Sequence, residues 1–200
     1  AVSESTVYRV LSEADLLSRW KRSTRSPGEY NFRPTGPNQQ WHTDVMYVWV
    51  AGCHYFLLNF VDAYSRYVVH HKLLLALNGA TVATELTAAL EQAGPVKPRV
   101  VHDHGSEFVN RDVAAVIKRH DLLSIKTRPR HPESNGIVER FNGTVRQESD
   151  NHYGDSYLQA ERTIAELIAQ YNDERLHAAL GYMTPATWHR GDKDRLQCVA

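Results

Sequence analysis

The sequence predicts an α/β fold, a mixed five-stranded sheet in which three antiparallel strands precede two parallel crossovers, flanked by helices. Three observations carry this. Runs rich in Val, Tyr, Phe and Leu follow one another at 41–51, 54–61 and 66–75. They are separated only by Gly52-Cys53 and Asp62-Ala63-Tyr64-Ser65, which are short enough for hairpins. Two shorter apolar runs, 99–102 and 122–126, then alternate with segments of helical period.

Taken in order, Val7 to Trp20 spaces Val7, Val10, Leu11, Ala14 and Leu17 helically, with Ser5 or Thr6 as a cap. It reads equally as the last helix of a helix-turn-helix and as a short helical arm. Pro27, Gly28, Pro34, Gly36 and Pro37 mark 27–40 as a linker. After the three strands, Thr81 to Ala93 is amphipathic through Val82, Leu86, Ala89, Leu90 and Ala93, and Gly94-Pro95 ends it. Val109 to His120 turns Val113, Val116 and Ile117 inward. A loop with Pro129 and Pro132 leads into a helix from 135 to 153, stopped by Gly154. Asp155 or Ser156 caps the next, 157–175, whose stripe is Tyr157, Ala160, Ile164, Leu167, Ile168 and Tyr171. The chain therefore divides into an arm (1–26), the linker (27–40), a core (41–178) and a tail (179–200).

Composition excludes several classes. The 200 residues are 42% hydrophobic, enough for a full core. Cys53 and Cys198 form no Cys-x-x-Cys pair, which excludes a disulfide scaffold and a zinc ribbon and suits a reducing compartment. No apolar run approaches the roughly 18 residues of a membrane span. No signal peptide is evident, and the absence of an initiator Met reads as a fragment or a processed chain. Formal net charge is zero, from 23 basic and 23 acidic residues, but its distribution is uneven. Lys118, Arg119, Lys126, Arg128, Arg130, Arg140 and Arg146 face only Asp121, Glu133 and Glu139 in the same stretch. A second basic cluster is Arg19, Lys21, Arg22 and Arg25.

Three carboxylates stand out. Asp44 lies inside the apolar run Trp41 to Val50, where an ionised side chain is costly unless compensated. Asp103 ends the fourth strand, at the carboxyl end where ligands collect in open sheets. If the first and fourth strands are neighbours, Asp44 and Asp103 lie side by side, and a divalent cation resolves their repulsion. Glu139 sits on the long helix; there Ile137, Phe141, Thr144 and Val145 read as the inward stripe, and Glu139, Asn142, Gly143 and Arg146 as a polar face that can approach phosphates.

Fifty-eight residues separate Asp44 from Asp103, and thirty-five separate Asp103 from Glu139. This pattern resembles the Asp-Asp-Glu transposase and retroviral integrase superfamily, whose fold is ribonuclease-H-like. Asp103-His-Gly-Ser-Glu-Phe108 looks like the family's Asp-x-Gly-x-x-Phe stretch, and His131-Pro-Glu-Ser-Asn-Gly-Ile-Val-Glu-Arg-Phe-Asn142 like its Pro-x-x-Asn-Gly-x-x-Glu segment. Tyr171 to His177 and Thr184-Pro185 resemble the tail of insertion-sequence transposases of the integrase-like type. Two distant cysteines cannot supply the His-His-Cys-Cys zinc module of retroviral integrases, which favours the insertion-sequence branch. The chain departs from the pattern at His102, His104 and Gly143, the last standing where a lysine is frequent.

The resemblance implies a polynucleotidyl transferase that cleaves DNA strands and transfers them during transposition. Asp44, Asp103 and Glu139 would be both its catalytic residues and its metal ligands, holding two Mg²⁺ ions, with Mn²⁺ as a substitute. Lys126, Arg128, Arg130, Asn142 and Arg146 would contact DNA, positioning it without reading sequence. The implied partners are double-stranded DNA, as transposon ends and target, and further copies of the chain, in the bacterial cytoplasm and without a membrane. A ribonuclease-H-like nuclease without joining activity, and a silenced core that only binds DNA or oligomerises, are the competing readings. Glu107 reads as a cap of the following helix or a partner of Asp103, and Asp62 and Arg66 as organisers of a hairpin turn.

Overall fold

The computed structural model describes residues 3–13, 32–103, 105–127 and 136–191. Two compact units are present, Ala1–Asn31 and Phe32–Ala200. The first contains helix α1, Glu4–Glu13. Its start is fixed by Ser3, whose hydroxyl and carbonyl accept from the Thr6 amide, so the cap lies two residues earlier than Ser5. The rest of the expected helix, 14–20, lies outside the described residues.

The second unit is built on strands β1 (Gln40–Val50), β2 (Cys53–Asp62), β3 (Val68–Leu74), β4 (Arg99–His102) and β5 (Leu123–Lys126), in the order β3-β2-β1-β4-β5. As expected, the first three pair antiparallel and the last two join in parallel. The β1–β2 hairpin turns on Ala51 and Gly52, both at positive φ (48° and 83°), the arrangement whose twist matches paired strands. The β2–β3 turn is organised by Asp62, as its position suggested. Its fully buried carboxylate accepts from the Asn38 amide through Oδ1 and from the Ser65 amide and hydroxyl through Oδ2.

Helices α2 (Gly79–Ala93) and α3 (Arg111–Arg119) cover one face of the sheet. Trp41, Leu58, Phe60 and Val100 pack there against Val82, Leu86, Leu90, Val113 and Val116. Helices α4 (Gly136–Glu148) and α5 (Tyr157–Asp173) cover the other, where Met46, Val48, Leu57, Val61 and Leu73 meet Val138, Phe141, Val145, Ile164 and Ile168. Each fully buried Leu or Phe contributes roughly 1.5–3 kcal/mol. Alternation along β1 thus sends its even-numbered residues toward α4 and its odd-numbered ones toward α2.

Helix α4 ends at Glu148, five residues short of the expected 153, because Asp150 and Asn151 adopt left-handed φ (50° and 57°), which these two residue types tolerate best. Ser156 caps α5 as anticipated. A 3₁₀ turn at Ala178–Leu180 and helix α6 (Pro185–Arg190) follow. Residue His189 of α6 stacks on Tyr67 and bonds the Ser65 hydroxyl, so this stretch is fastened to the β2–β3 turn.

The outer edge of β3 is sealed by α5. Asn172 accepts from the Val68 amide at 2.9 Å and donates to the Val68 carbonyl at 3.1 Å, and the Tyr157 hydroxyl donates to the Leu73 carbonyl at 2.7 Å. Replacing Asn172 by Ala strands both backbone groups of Val68. We expect Asn172→Ala to lower unfolding stability by about 1–3 kcal/mol in urea titrations.

Candidate active site

In the β1–β4 ladder, Gln40 pairs with Arg99, Trp41 with Val100 and His42 with Val101. The offset between partners is the same as that between Asp44 and Asp103. Continued by two residues, the ladder sets one carboxylate level with the other, on the face covered by α4. Asp103 leaves the sheet there, and its Oδ1 accepts from the Gly105 amide at 2.9 Å. A Cβ at Gly105 would lie 2.5 Å from Glu107 Oε1, the movable end of that side chain. Glu107 therefore folds back over Gly105 and does not cap α3. The cap is Asn110, whose Oδ1 accepts from the amides of Asp112 and Val113. A short side chain at the cap position reaches those amides directly, which corrects the expectation for Glu107.

Helix α4 brings Glu139 to the same region. Its buried residues are Val138, Phe141, Asn142 and Val145, while Glu139 is exposed. The inward stripe is thus centred differently from the expected Ile137–Thr144 face, and Asn142 belongs to the buried side, only 3% exposed. The reason is polar rather than apolar. Asn142 Nδ2 donates to Asp44 Oδ2 at 2.9 Å, and its Oδ1 accepts from Asn59 Nδ2 at 2.9 Å. Asn59 is the direct cross-strand partner of Asp44 and is fully buried. A chain of two amides therefore runs from β2 through α4 to the carboxylate on β1. This corrects the reading of Asn142 as a surface contact to DNA, because its amide is committed inside the protein.

The electrostatics tie the three carboxylates together. The carboxyl of Asp44 is pushed up from 3.8 to about 6, first by burial and then by the charges of Asp103 and Glu139. Hydrogen bonds from the Val45 amide and from Asn142 work in the opposite direction. Among the described residues none of the three acids forms an ion pair, and no three His, Cys, Asp or Glu side chains already surround one point closely enough to share an ion. The donor chemistry nonetheless fits a hard divalent cation: oxygen donors alone, carrying like charges whose mutual repulsion and burial leave Asp44 uncompensated.

Other expected residues separate. Lys126 ends β5 and is exposed, and Arg146 is exposed on α4 two turns beyond Glu139. Arg128, Arg130 and His104 lie outside the described residues. His102 is buried on the opposite face; its Nε2 meets Ser124 Oγ at 2.8 Å, its Nδ1 meets the Asp103 carbonyl at 2.6 Å, and its ring stacks on Phe108. It supports the strand end from behind. His70 and His71 diverge as adjacent strand residues must, His70 to Glu85 on α2 and His71 to a half-buried position where desolvation pushes its pKa down to about 4. Sequence reasoning missed Asn59. Its signal was present: it is the one polar residue in the run Tyr55 to Val61.

Models of the integrase core domain match residues 34–132 and 123–185, a stretch that includes the strands and the helix bearing all three acids. The chain belongs to the integrase core family. Over 192 residues it is 32% identical to an uncharacterised 39.2 kDa protein of insertion element IS476 from Xanthomonas euvesicatoria, an alignment that covers 93% of this chain and 55% of that protein. The integrase-core chain thus spans about half the length of this relative. It is 26% identical over 164 residues to the transposase for insertion sequence element IS904 of Lactococcus lactis, covering 80% of this chain and 64% of that one. In fold it matches the HTLV-2 integrase catalytic core domain, solved in complex with magnesium, at a TM-score of 0.65 and 19% identity, covering 78% of this chain and 99% of that one. The ribonuclease-H-like architecture expected from the sequence is therefore the one adopted. Among the described residues no helix is long and apolar enough to cross a membrane.

Two outcomes follow from the Asp44 environment in metal-free protein. Because folding raises its pKa, the fold favours the neutral acid. That contribution is complete below about pH 3.8 and is lost as pH rises through about 6. Asp44→Asn keeps the acceptor for Asn142 without the charge, so it should be more stable than the parent by roughly 2–3 kcal/mol at pH 7.5 and equal to it near pH 4. Urea titrations at the two pH values measure this. Asn142→Ala should do the reverse, costing about 1–3 kcal/mol and moving the Asp44 carboxyl titration above 6 in ¹³C NMR, since a donor to the ionised form is removed.

Proposed function

We propose that the chain is the catalytic core of an insertion-sequence transposase that cuts DNA strands and joins them to a target, with Asp44, Asp103 and Glu139 as its metal-holding acids. The observation that carries this reading is the β1–β4 register, which levels Asp44 with Asp103 while Glu139 on α4 adds its charge to the same neighbourhood. Bound by these acids, two Mg²⁺ ions would polarise a phosphodiester and lower the pKa of the attacking water or 3′-hydroxyl.

The chain's own residues have separate tasks. Asn142, held by Asn59, fixes the rotation of the Asp44 carboxylate, and the Gly105 amide does the same for Asp103. Asp44 accepts cations only when ionised, so occupancy rises with pH through about 6 in the empty site. Lys126 and Arg146, exposed at the ends of β5 and α4, bind backbone phosphates on either side. The reaction is phosphodiester hydrolysis followed by transesterification, without a covalent protein intermediate. Assembly as a homo-oligomer on paired DNA ends belongs to the same reading.

Two measurements test it. Millimolar Mg²⁺ or Mn²⁺ should raise the thermal midpoint of the protein at pH 8 and leave Asp44→Asn and Asp103→Asn unmoved. With a DNA end already cut, the parent protein should join it to a second duplex, and Asp103→Asn or Glu139→Gln should yield no product. Cleavage without joining would identify a nuclease, and DNA binding with neither step would identify a silenced core.

A further inference from the structure

We propose that two copies of this chain join edge to edge through β1, the stretch around Tyr47 and Trp49 pairing antiparallel with itself so that one sheet continues into the other. Such a contact needs no DNA and stands apart from the reading of Asp44, Asp103 and Glu139 as a DNA site. Strand β1 has 11 residues and β4 only four, and their ladder ends at His42. From Val45 to Val50, among the described residues, β1 is paired on its β2 side alone.

Two bonds at the base of the strand give the direction of its backbone groups. The Arg99 amide donates to the Gln39 carbonyl at 3.0 Å, and the Ala63 amide donates to the Gln40 carbonyl at 2.8 Å. Along a strand, alternate residues aim their amide and carbonyl at opposite neighbours. Odd-numbered residues of β1 therefore aim at the β4 side and even-numbered ones at β2. The β1–β2 register runs from Trp41 to Val50 without a shift, so the alternation holds to the hairpin. Past the end of β4, Tyr47 and Trp49 each turn an amide and a carbonyl to the open edge. Among the described residues no backbone group meets them there.

The chemistry of this edge selects its partner. It offers neutral donors and acceptors at strand spacing, and what answers both is another extended backbone. It also lacks every device that keeps such a partner away. Between Val45 and Val50 there is no Lys, Arg, Asp, Glu or Pro, and no bulge. A second copy fits because the edge is complementary to itself. A twofold axis normal to the sheet sets the same edge of two copies antiparallel. An uncharged edge meets its own image without like charges facing, and a formal net charge of zero adds no repulsion at longer range. With Tyr47 opposite the partner's Trp49, each pair exchanges N–H···O bonds in both directions and sets ring beside ring across the junction. In the single chain these rings are bare, Tyr47 62% and Trp49 55% exposed, on the α2 side of the sheet. They are steadied from β2, where Tyr47 meets Phe56 at 5.3 Å and Trp49 meets His54 at 4.4 Å. Tyr and Trp are the residues that most often anchor contacts between proteins.

Sedimentation of the DNA-free protein across a micromolar concentration series should show monomer passing into dimer. Trp49→Lys sets a charge on the edge, and Trp49→Pro removes an amide that β2 does not use. Each, checked for an unchanged thermal midpoint at the lowest concentration, should raise the dimer dissociation constant at least about thirtyfold. Trp49→Phe, which keeps the amide and an aromatic ring, should dimerise nearly as the parent does. Hydrogen exchange on the parent protein decides the matter without any variant. The Tyr47 and Trp49 amides should exchange freely in dilute solution and become protected as dimer forms, while those of Met46 and Val48, which aim at β2, stay slow throughout. A parent that remains monomeric overturns the inference. So does a dimer that Trp49→Lys and Trp49→Pro leave intact, and so does free exchange of the Tyr47 and Trp49 amides within the dimer. None of these results touches the reading of the acids, which is tested by strand transfer on DNA.

Discussion

The parallel pairing of β1 with β4 is the constraint from which the site follows. A parallel ladder has one offset, and here that offset equals the distance in sequence between Asp44 and Asp103. A slip of one residue would turn the β1 side chains over, burying Tyr47 and Trp49 and exposing Met46 and Val48. The apolar alternation of β1 thus fixes the register, and the register fixes which residues of β4 lie level with those of β1. Trp41, fully buried and bonded through its indole N–H to Asn38 Oδ1, anchors the start of the strand so that the level of Asp44 cannot drift.

The acidic surroundings of Asp44 are unfavourable to its charge. Burial and two neighbouring acids oppose ionisation of Asp44, and only the Val45 amide and Asn142 oppose them in turn. The amide chain from Asn59 through Asn142 is therefore more than filler between helix and sheet. An apolar residue at 142 would leave Asp44 without its side-chain donor and Asn59 without its acceptor. An amide reaches both ways, accepting from Asn59 and donating to Asp44, and so gives the carboxylate one rotational setting before any cation arrives. A site made in this manner is least stable where it is emptiest, which is the condition for binding energy from a divalent ion to tighten it.

Much of this was legible in the sequence, for reasons that differ by element. The five strands and their sense were readable because β-rich runs joined by two to four residues are hairpin connections, and runs alternating with helices have connections long enough for parallel crossovers. The three acids stand out by their spacing together with their flanking motifs, and their joint role is the proposal made above. The face of α4 was not, because Ile137 and Val138 are both apolar, and hydrophobicity alone cannot choose between stripes one residue apart. What decided it was Asn142, a polar residue drawn inward by two partners on other elements. Asn59 and the His189–Ser65 contact were hidden for the same reason: each depends on a residue distant in sequence. The cap of α3 was misread because Glu107 and Asn110 both precede the helix, and only the tight turn at Gly105 shows which of them is turned back.

The unequal lengths of β1 and β4 connect these points. A strand that ended level with Asp103 would suffice to place the two aspartates. The extra residues of β1 serve α4 and α5 on one side, since Met46, Val48 and Val50 complete the core beneath Val138, Phe141 and Ile164. That requirement alone obliges the hairpin to extend, and it leaves the identity of the odd-numbered residues unconstrained by packing. Solvent-facing positions of a strand are ordinarily polar or charged, which also protects an open edge from pairing with other chains. Here they are Tyr47 and Trp49, with no charged residue anywhere on the overhang. The fold explains why the hairpin is long. It does not require that its open face be aromatic, and a feature the fold does not require is where a binding function is most directly read.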